Sequence, residues 1–61
     1  RHVAEETEGT MQLITRYGNY PVRIPDRFFL ENMSAARLVC RHLGVKDSDF
    51  YQAISEYSLS L

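Results

Sequence analysis

The sequence lacks the features that define several large classes of protein. Its one cysteine cannot form an internal disulfide, so the chain is not a small scaffold held together by disulfide bridges. No apolar run approaches the roughly 20 residues that a membrane-spanning helix needs. The formal net charge of -1 provides no basic surface for nucleic acid. We therefore expect a cytoplasmic chain that binds neither membrane nor nucleic acid.

The chain does contain enough apolar material for a small core. Of its 61 residues, 44% are hydrophobic and 25% are charged, which is typical of a folded domain. A chain of this length buries only about 60% of the surface that its unfolded form exposes, so its stability should be marginal. We expect one small module over residues 1–61. The start at Arg1 rather than Met and the apolar residues near the end, Leu59 and Leu61, favour an excised piece of a longer protein.

Alternating apolar and polar side chains predict a β-hairpin over Thr10 to Ile24. The first strand is expected near Thr10 to Arg16. Gly18 and Asn19 tolerate the positive φ of a tight turn, so the turn is expected there. The second strand is expected to alternate through Tyr20, Val22 and Ile24.

The flanks of this hairpin are less regular. Residues 1–8 contain only two apolar side chains, Val3 and Ala4, and their pattern leaves open a frayed lead-in or a short edge strand. Pro21 has no N–H to donate, so we expect the second strand to be paired on one side only at that position.

A first helix is expected between Asp26, a good N-cap, and Leu43, which precedes the helix-ending Gly44. Its spacing predicts an apolar stripe that packs on the sheet, formed by Met33, Ala36, Cys40 and Leu43 and widened by Leu30, Leu38 and Val39. The opposite, polar side is expected to carry Glu31, Ser34, Arg37 and Arg41.

A second, short helix is expected to start at the acidic pair Asp47 and Asp49, because carboxylates favour the positive end of the helix dipole. Its packing face is predicted to be Phe50, Ala53, Ile54 and Tyr57. The expected fold class is therefore α+β: a β-hairpin followed by two α-helices.

The histidines, the cysteine and the clustered carboxylates have ordinary structural explanations. His2 and His42 have no partners at metal-ligand spacing, so we interpret both as surface histidines. Cys40 lies on the predicted apolar stripe, which favours a core role. A solvated charge run explains the three clustered carboxylates better than an acid–base pair: Glu5, Glu6 and Glu8.

Three uncharged side chains are candidates for ligand contact. Tyr17 and Tyr20 flank the predicted turn, where they either stack on a ligand ring or pack within the hairpin. Asn32 lies one to two turns into the first helix, on the side of Ala36 and Val39. Its amide has two possible roles: it bonds to local backbone, as a cap does, or it presents a donor and an acceptor to a partner. Position alone favours the local backbone role.

The second half of the chain has a distinctive order of motifs. Residues 26–36 read DRFFLENMSAA, followed by apolar helical positions, Leu43-Gly44-Val45 and a second helix that closes on Tyr57. This order resembles the end of the central domain of Mur ligases, where the run is G-x-H-N-x-x-N-x-x-A-A, then L-G-[VI], then a helix closing on an aromatic. Upstream, residues 8–11 resemble the E-G-T-hydrophobic start of the preceding strand. The similarity covers nearly the whole chain.

The resemblance implies that the chain is the C-terminal part of a central ATP-binding domain, a fragment of a larger α/β domain. Mur ligases use ATP to join amino acids or peptides to a UDP-sugar acid in peptidoglycan synthesis. Residues 37–54 are most similar to the branch that ligates UDP-N-acetylmuramate to L-alanine or to a recycled murein peptide. The implied cofactors of the parent are ATP and Mg²⁺, and the implied partners are the rest of the ligase and the UDP-sugar substrate.

The resemblance also implies which residues meet the nucleotide. In the family, the His and the second Asn of the run lie near the adenine and ribose. Asn32 matches that second Asn, whereas Phe28 stands at the His position, Phe29 at the first Asn and Asp26 at the Gly. The cofactor-binding residues are thus expected to be Asn32 and Phe28, with the Phe28 ring stacking on adenine instead of donating a hydrogen bond.

No phosphate-binding loop, metal site or nucleophile is expected in these 61 residues, so the isolated fragment should bind no cofactor and be inactive. The alternative hypothesis is a non-catalytic protein-interaction module, which the wide apolar sector of the first helix favours. Exposed apolar faces would also allow copies of the fragment to associate.

Overall fold

A computed structural model describes residues 2–23 and 25–61 of the protein. Three strands, β1 (Val3–Thr7), β2 (Thr10–Thr15) and β3 (Gly18–Pro21), precede two helices, α1 (Arg27–His42) and α2 (Asp47–Ser60). The strands form one antiparallel sheet in the order β1-β2-β3. The expected α+β class is confirmed, and residues 3–7 are an edge strand. Neither described helix has the length and hydropathy needed to cross a membrane.

The first hairpin joins β1 to β2 and was not anticipated as a hairpin. Thr7 lies opposite Thr10, so Glu8 and Gly9 form a two-residue loop. Both loop residues have positive φ, 52° for Glu8 and 80° for Gly9. Two consecutive positive φ values match the right-handed twist of the flanking strands, which explains why a glycine is needed at this point.

The second hairpin turns two residues earlier than predicted. Thr15 lies opposite Gly18, so the loop is Arg16–Tyr17, and Gly18 with Asn19 belongs to β3. The Thr15 hydroxyl fixes this loop, because it donates to the Gly18 carbonyl at 2.7 Å and accepts from the Tyr17 N–H at 3.1 Å. The predicted strand position of Ile24 lies outside the described residues.

The free side of β3 is satisfied by α2. Pro21 pairs with Gln12 of β2 only, which confirms that the strand is paired on one side there. On the other side, the Pro21 carbonyl accepts from the Ser55 hydroxyl, and the Arg23 N–H donates to Ser58 Oγ at 2.9 Å. The two serines, one helical turn apart, therefore supply the polar contacts that a fourth strand would make.

Both ends of α1 follow the predicted signals. The Asp26 carboxylate accepts from the Phe29 N–H at 2.8 Å and caps the helix. At the other end Gly44 has φ 87°, and the Val45 N–H donates back to the Cys40 carbonyl at 2.9 Å. This is the hydrogen-bond pattern of a helix closed by a left-handed glycine.

The packing face of α1 differs from the predicted stripe. Met33 is buried and Cys40 packs against the core, but Ala36 is exposed and Leu43 is 76% exposed. The buried core is formed by residues of β2, of the segment after β3 and of both helices: Leu13, Val22, Met33, Phe50 and Tyr51. Two residues assigned to the polar side turn inward instead, because each has a polar partner there: Ser34 and Arg37.

The packing face of α2 is also rotated. Asp47 and Asp49 open the helix as predicted, and Phe50 is buried. Ala53 is exposed and Tyr57 is 62% exposed, so both were wrongly placed on the packing face. The residues that replace them are Tyr51, Ser55 and Ser58. Each of their hydroxyls bonds to a specific partner outside α2, which satisfies it on the inward side of the helix.

Candidate functional site

The candidate nucleotide residues lie together on the side of α1 that faces away from the core. We define the outward face of α1 as Phe28, Asn32, Ala36, Val39 and Leu43, which recur at three- and four-residue spacing. Phe28 is 66% exposed, Val39 is 59% exposed, and Asn32 and Ala36 are also exposed. This face is therefore available to a ligand or to another protein surface.

The Phe28 ring has one cation, the Arg27 guanidinium, over it. The Arg27 guanidinium lies 5.6 Å from the ring centroid, and Arg27 Nε is 3.5 Å from the Glu31 carboxylate. An exposed ion pair of this kind contributes little to stability. Most of the ring surface is open, so a planar heterocycle can stack on it.

Asn32 does not cap the helix, because Asp26 performs that function. None of the side-chain hydrogen bonds among the described residues involves the Asn32 amide, which projects from the first half of α1. Its donor and acceptor are thus free to meet a ligand four residues along the helix from Phe28. Of the two roles considered for Asn32, the capping role was wrong.

His2 was also misjudged as a surface residue, since it is only 8% exposed. Its Nδ1 lies 2.7 Å from Ser34 Oγ, and its Nε2 lies 2.8 Å from Tyr51 Oη. Desolvation by burial lowers the pKa of His2, and the positive charge of Arg37 adds to this effect. The imidazole is therefore neutral at pH 7. The pattern of a single sequence does not reveal partners 32 and 49 residues away.

A second polar cluster fixes the junction between the helices. The Asp47 carboxylate accepts from Arg41 Nη2 at 2.6 Å and lies 3.7 Å from Arg37 Nη1 and 3.5 Å from the Tyr17 hydroxyl. The hydrogen bond from Arg41 lowers the pKa of Asp47, against the opposing effect of desolvation. This arrangement positions α2 relative to α1 and offers no reactive group.

The remaining candidates have structural positions. Tyr17 and Tyr20 pack onto the Tyr51 ring of α2, with centroid distances of 6.2 and 5.8 Å. The packing alternative for these tyrosines is thus supported, although the partner is a helix rather than the facing strand. Cys40 is a half-buried free thiol beside the core. The surface residues behave as predicted: Glu5, Glu6, Glu8 and His42 are exposed.

No group of three or more His, Cys, Asp or Glu side chains within residues 2–23 and 25–61 is placed to hold a metal ion. An open cleft of about 640 Å³ lies between the N-terminal end of the sheet and α1, lined by His2, Arg27, Leu30, Glu31 and Ser34.

Comparison of the chain with family models, curated proteins and solved structures gives no match.

Proposed function

We propose that the chain is part of an ATP-dependent ligase of the Mur type and contributes one wall of its nucleotide site. The observation that carries this proposal is the common position of Phe28 and Asn32 on the outward face of α1. Asn32 matches the nucleotide residue of the family that the chain resembles, and Phe28 stands at the position of that family's His, where its ring would stack on adenine. Neither is consumed by the protein's own core, which is what a binding role requires.

The chemistry of Phe28 and Asn32 suits a nucleoside. The exposed Phe28 ring offers an apolar platform for adenine, with the Arg27 guanidinium beside it. The Asn32 amide, one turn further along α1, offers both a donor and an acceptor for ribose hydroxyls or ring nitrogens. Together they would bind and orient the nucleoside end of ATP.

The reaction itself is assigned to the rest of the parent enzyme. Bound ATP supplies the phosphoryl group that activates the substrate carboxylate for attack by an amine. We assign the metal and the phosphates to other parts of the parent; the described residues contain no group of three or more His, Cys, Asp or Glu side chains placed to hold a metal ion. The amide product would be made in the cytoplasm from a UDP-N-acetylmuramate substrate and L-alanine or a murein peptide.

The alternative function is a non-catalytic protein-interaction module. It is favoured by the apolar character of the rest of the outward face, where Val39 and Leu43 are both more than half exposed. The parent coding sequence separates the two hypotheses. A glycine-rich loop ending in Lys-Ser or Lys-Thr upstream supports the ligase, whereas a start codon adjacent to Arg1 supports the interaction module.

A direct test changes Asn32 in the full-length parent. Asn32→Ala should raise the dissociation constant for ATP roughly two- to tenfold, because one hydrogen bond to an uncharged group contributes about 0.5–1.5 kcal/mol. The affinity for the UDP-sugar should stay unchanged. Gln52→Ala removes an exposed amide from α2 and is the matched control. An unchanged ATP affinity together with a lower melting temperature would contradict the proposal.

The isolated chain should neither hydrolyse ATP nor form amide bonds. Phosphate release and ligation assays on the purified 61-residue chain check this expectation. Turnover that disappears when a residue of the chain is changed would show that the chain carries its own catalytic centre, and the proposal would fail.

A further inference from the structure

The buried imidazole of His2 connects three separate elements. It precedes β1, bonds to Ser34 of α1 through Nδ1 and bonds to Tyr51 of α2 through Nε2. The Tyr51 ring also meets the imidazole edge-on at a centroid distance of 5.5 Å. These contacts fasten the start of the sheet to both helices at one point.

One protonation state satisfies all the polar groups in this cluster. If the neutral imidazole carries its proton on Nδ1, that N–H donates to Ser34 Oγ, and the Ser34 hydroxyl points toward the Leu30 carbonyl at 3.5 Å. The Tyr51 hydroxyl then donates to the bare Nε2. Every donor in the chain of contacts has an acceptor.

Protonation of His2 disrupts this arrangement. An imidazolium has N–H groups at both nitrogens, so the Tyr51 hydroxyl must accept from Nε2 and turn its own proton elsewhere. Tyr51 is only 3% exposed, and His2 is its one hydrogen-bond partner among the described residues. The protonated state therefore buries both a charge and an unpaired hydroxyl proton.

The charged groups around His2 do not compensate for its protonation. Arg37 of α1 repels the imidazolium, and Asp47 of α2 attracts it. The Asp47 carboxylate is already occupied by Arg41 and Arg37. On the side of the cleft, Glu31 is paired with Arg27. On the side of the sheet, the groups facing Tyr51 are the uncharged phenols of Tyr17 and Tyr20.

We propose that His2, Ser34 and Tyr51 form a pH-sensitive latch that holds the start of the sheet on both helices when His2 is neutral and opens when His2 is protonated. In the open state His2 leaves its buried position and is protonated in water. Acidification favours this state because it binds the proton more readily than the closed one. Opening widens the cleft beside the first turns of α1.

The sign of the pH effect follows from the lowered pKa of His2, which burial causes first and Arg37 second. The latch contributes its full stability above the ordinary pKa of about 6.5. That contribution is lost as the pH falls from there toward the lower pKa of the closed state. Ordinary carboxyl groups titrate below this window, so the effect belongs to histidine.

The experiment follows the imidazole by NMR between pH 7.5 and 5 in the full chain. His2 should show the Nδ1–H tautomer at pH 7.5 and a titration midpoint below 6.5, with the Tyr51 ring signals shifting at the same midpoint. A His2 titration midpoint at or above 6.5 would overturn the latch. Tyr51 ring signals that do not shift as His2 titrates would also overturn it.

Variants add a second measurement. Between pH 7.5 and 5.5 the melting temperature should fall in the unchanged chain and in His42→Gln, which removes the exposed histidine. His2→Gln should abolish most of that fall. Tyr51→Phe keeps the ring but removes the hydroxyl, so the His2 midpoint should rise toward 6.5. An unchanged His2 titration midpoint in Tyr51→Phe would contradict the latch. So would a pH dependence of the melting temperature that His42→Gln removes and His2→Gln does not.

Discussion

The two helices use their apolar residues in opposite ways. Helix α1 buries only Met33 fully and leaves Phe28, Val39 and Leu43 in solvent. Helix α2 is less clearly amphipathic in sequence, yet it buries Phe50 and Tyr51 together with two serines. The helix with the more convincing apolar stripe is the one with more of that stripe exposed.

This difference shows that an apolar stripe does not by itself identify the buried face of a helix. In α2, buried hydroxyl groups accompany the buried rings on the inward face, and they bond to Pro21 of β3, to Arg23 and to His2. In α1, Met33 is the one fully buried side chain, and several apolar side chains stay exposed. We interpret this exposed surface as a surface for contact outside this chain, which either the proposed nucleotide wall or the alternative interaction module would use.

The largest expected effect compares one phenylalanine from each helix. Phe50→Ala should destabilise the chain by about 3–5 kcal/mol, because the ring is 5% exposed and its removal leaves a cavity in the core. Phe28→Ala should change stability by less than about 0.5 kcal/mol, since that ring is 66% exposed. Urea unfolding measures both. Equal losses of unfolding free energy in the two variants would contradict the inference that Phe50 is a core residue and Phe28 is not.

A second comparison lies within α1. Met33→Ala should cost about 2–5 kcal/mol, because Met33 is 3% exposed. Leu43→Ala should cost less than about 0.5 kcal/mol, since Leu43 is 76% exposed and does not belong to the core to which the sequence pattern assigned it. Thermal melts of the two variants check this. A large loss of stability in Leu43→Ala would show that Leu43 belongs to the packing face, as the sequence pattern predicted.

The serines of α2 provide a smaller effect. Ser58→Ala should cost about 1–3 kcal/mol, because it leaves the Arg23 N–H without its acceptor in a part-buried position. Ser60→Ala is the control, since Ser60 bonds only to the Tyr57 carbonyl on the exposed surface. Denaturant midpoints compare them. A Ser58 variant no less stable than the Ser60 variant would show that packing, not hydrogen bonding, orients α2.

The smallest effect concerns the junction of the helices. Because the hydrogen bond from Arg41 lowers the pKa of Asp47, this group stabilises the fold above its ordinary pKa, and the contribution is lost as the pH falls through the lowered value. Asp47→Asn should therefore flatten the acid limb of the stability curve below about pH 4. Melting temperatures between pH 2.5 and 5 measure this limb. If the melting temperature of Asp47→Asn falls with acid as steeply as that of the unchanged chain, Asp47 does not contribute to the acid sensitivity of the fold.

Much of the fold could be predicted because its signals are local. Period-two alternation marked β2, Asp26 marked the start of α1 and Gly44 marked its end. The second turn was misplaced because Gly18 and Asn19 are typical turn residues, while the hydroxyl of Thr15 closes the loop over Arg16 and Tyr17. Side-chain hydrogen bonds of this kind compete with residue preferences and leave no periodic pattern.

The sites were harder to predict because their partners are distant in sequence. His2 reads as an ordinary polar residue near a chain end, and only the fold brings it to Ser34 and Tyr51. For Asn32 and Phe28, the sequence supplied a motif, and the structure supplied exposure on one face. Exposure of both residues is a condition for the proposed nucleotide contact, and the contact itself is a matter for experiment.

The most direct test observes the two helices while nucleotide binds. A non-hydrolysable ATP analogue is titrated into the proposed parent ligase, and the side-chain amide signals of Asn32 in α1 and Gln52 in α2 are followed by NMR. We expect a saturable shift of the Asn32 signals with little change at Gln52. An Asn32 amide that does not move when the analogue saturates the enzyme would contradict the assignment of the outward face of α1 to the nucleotide site.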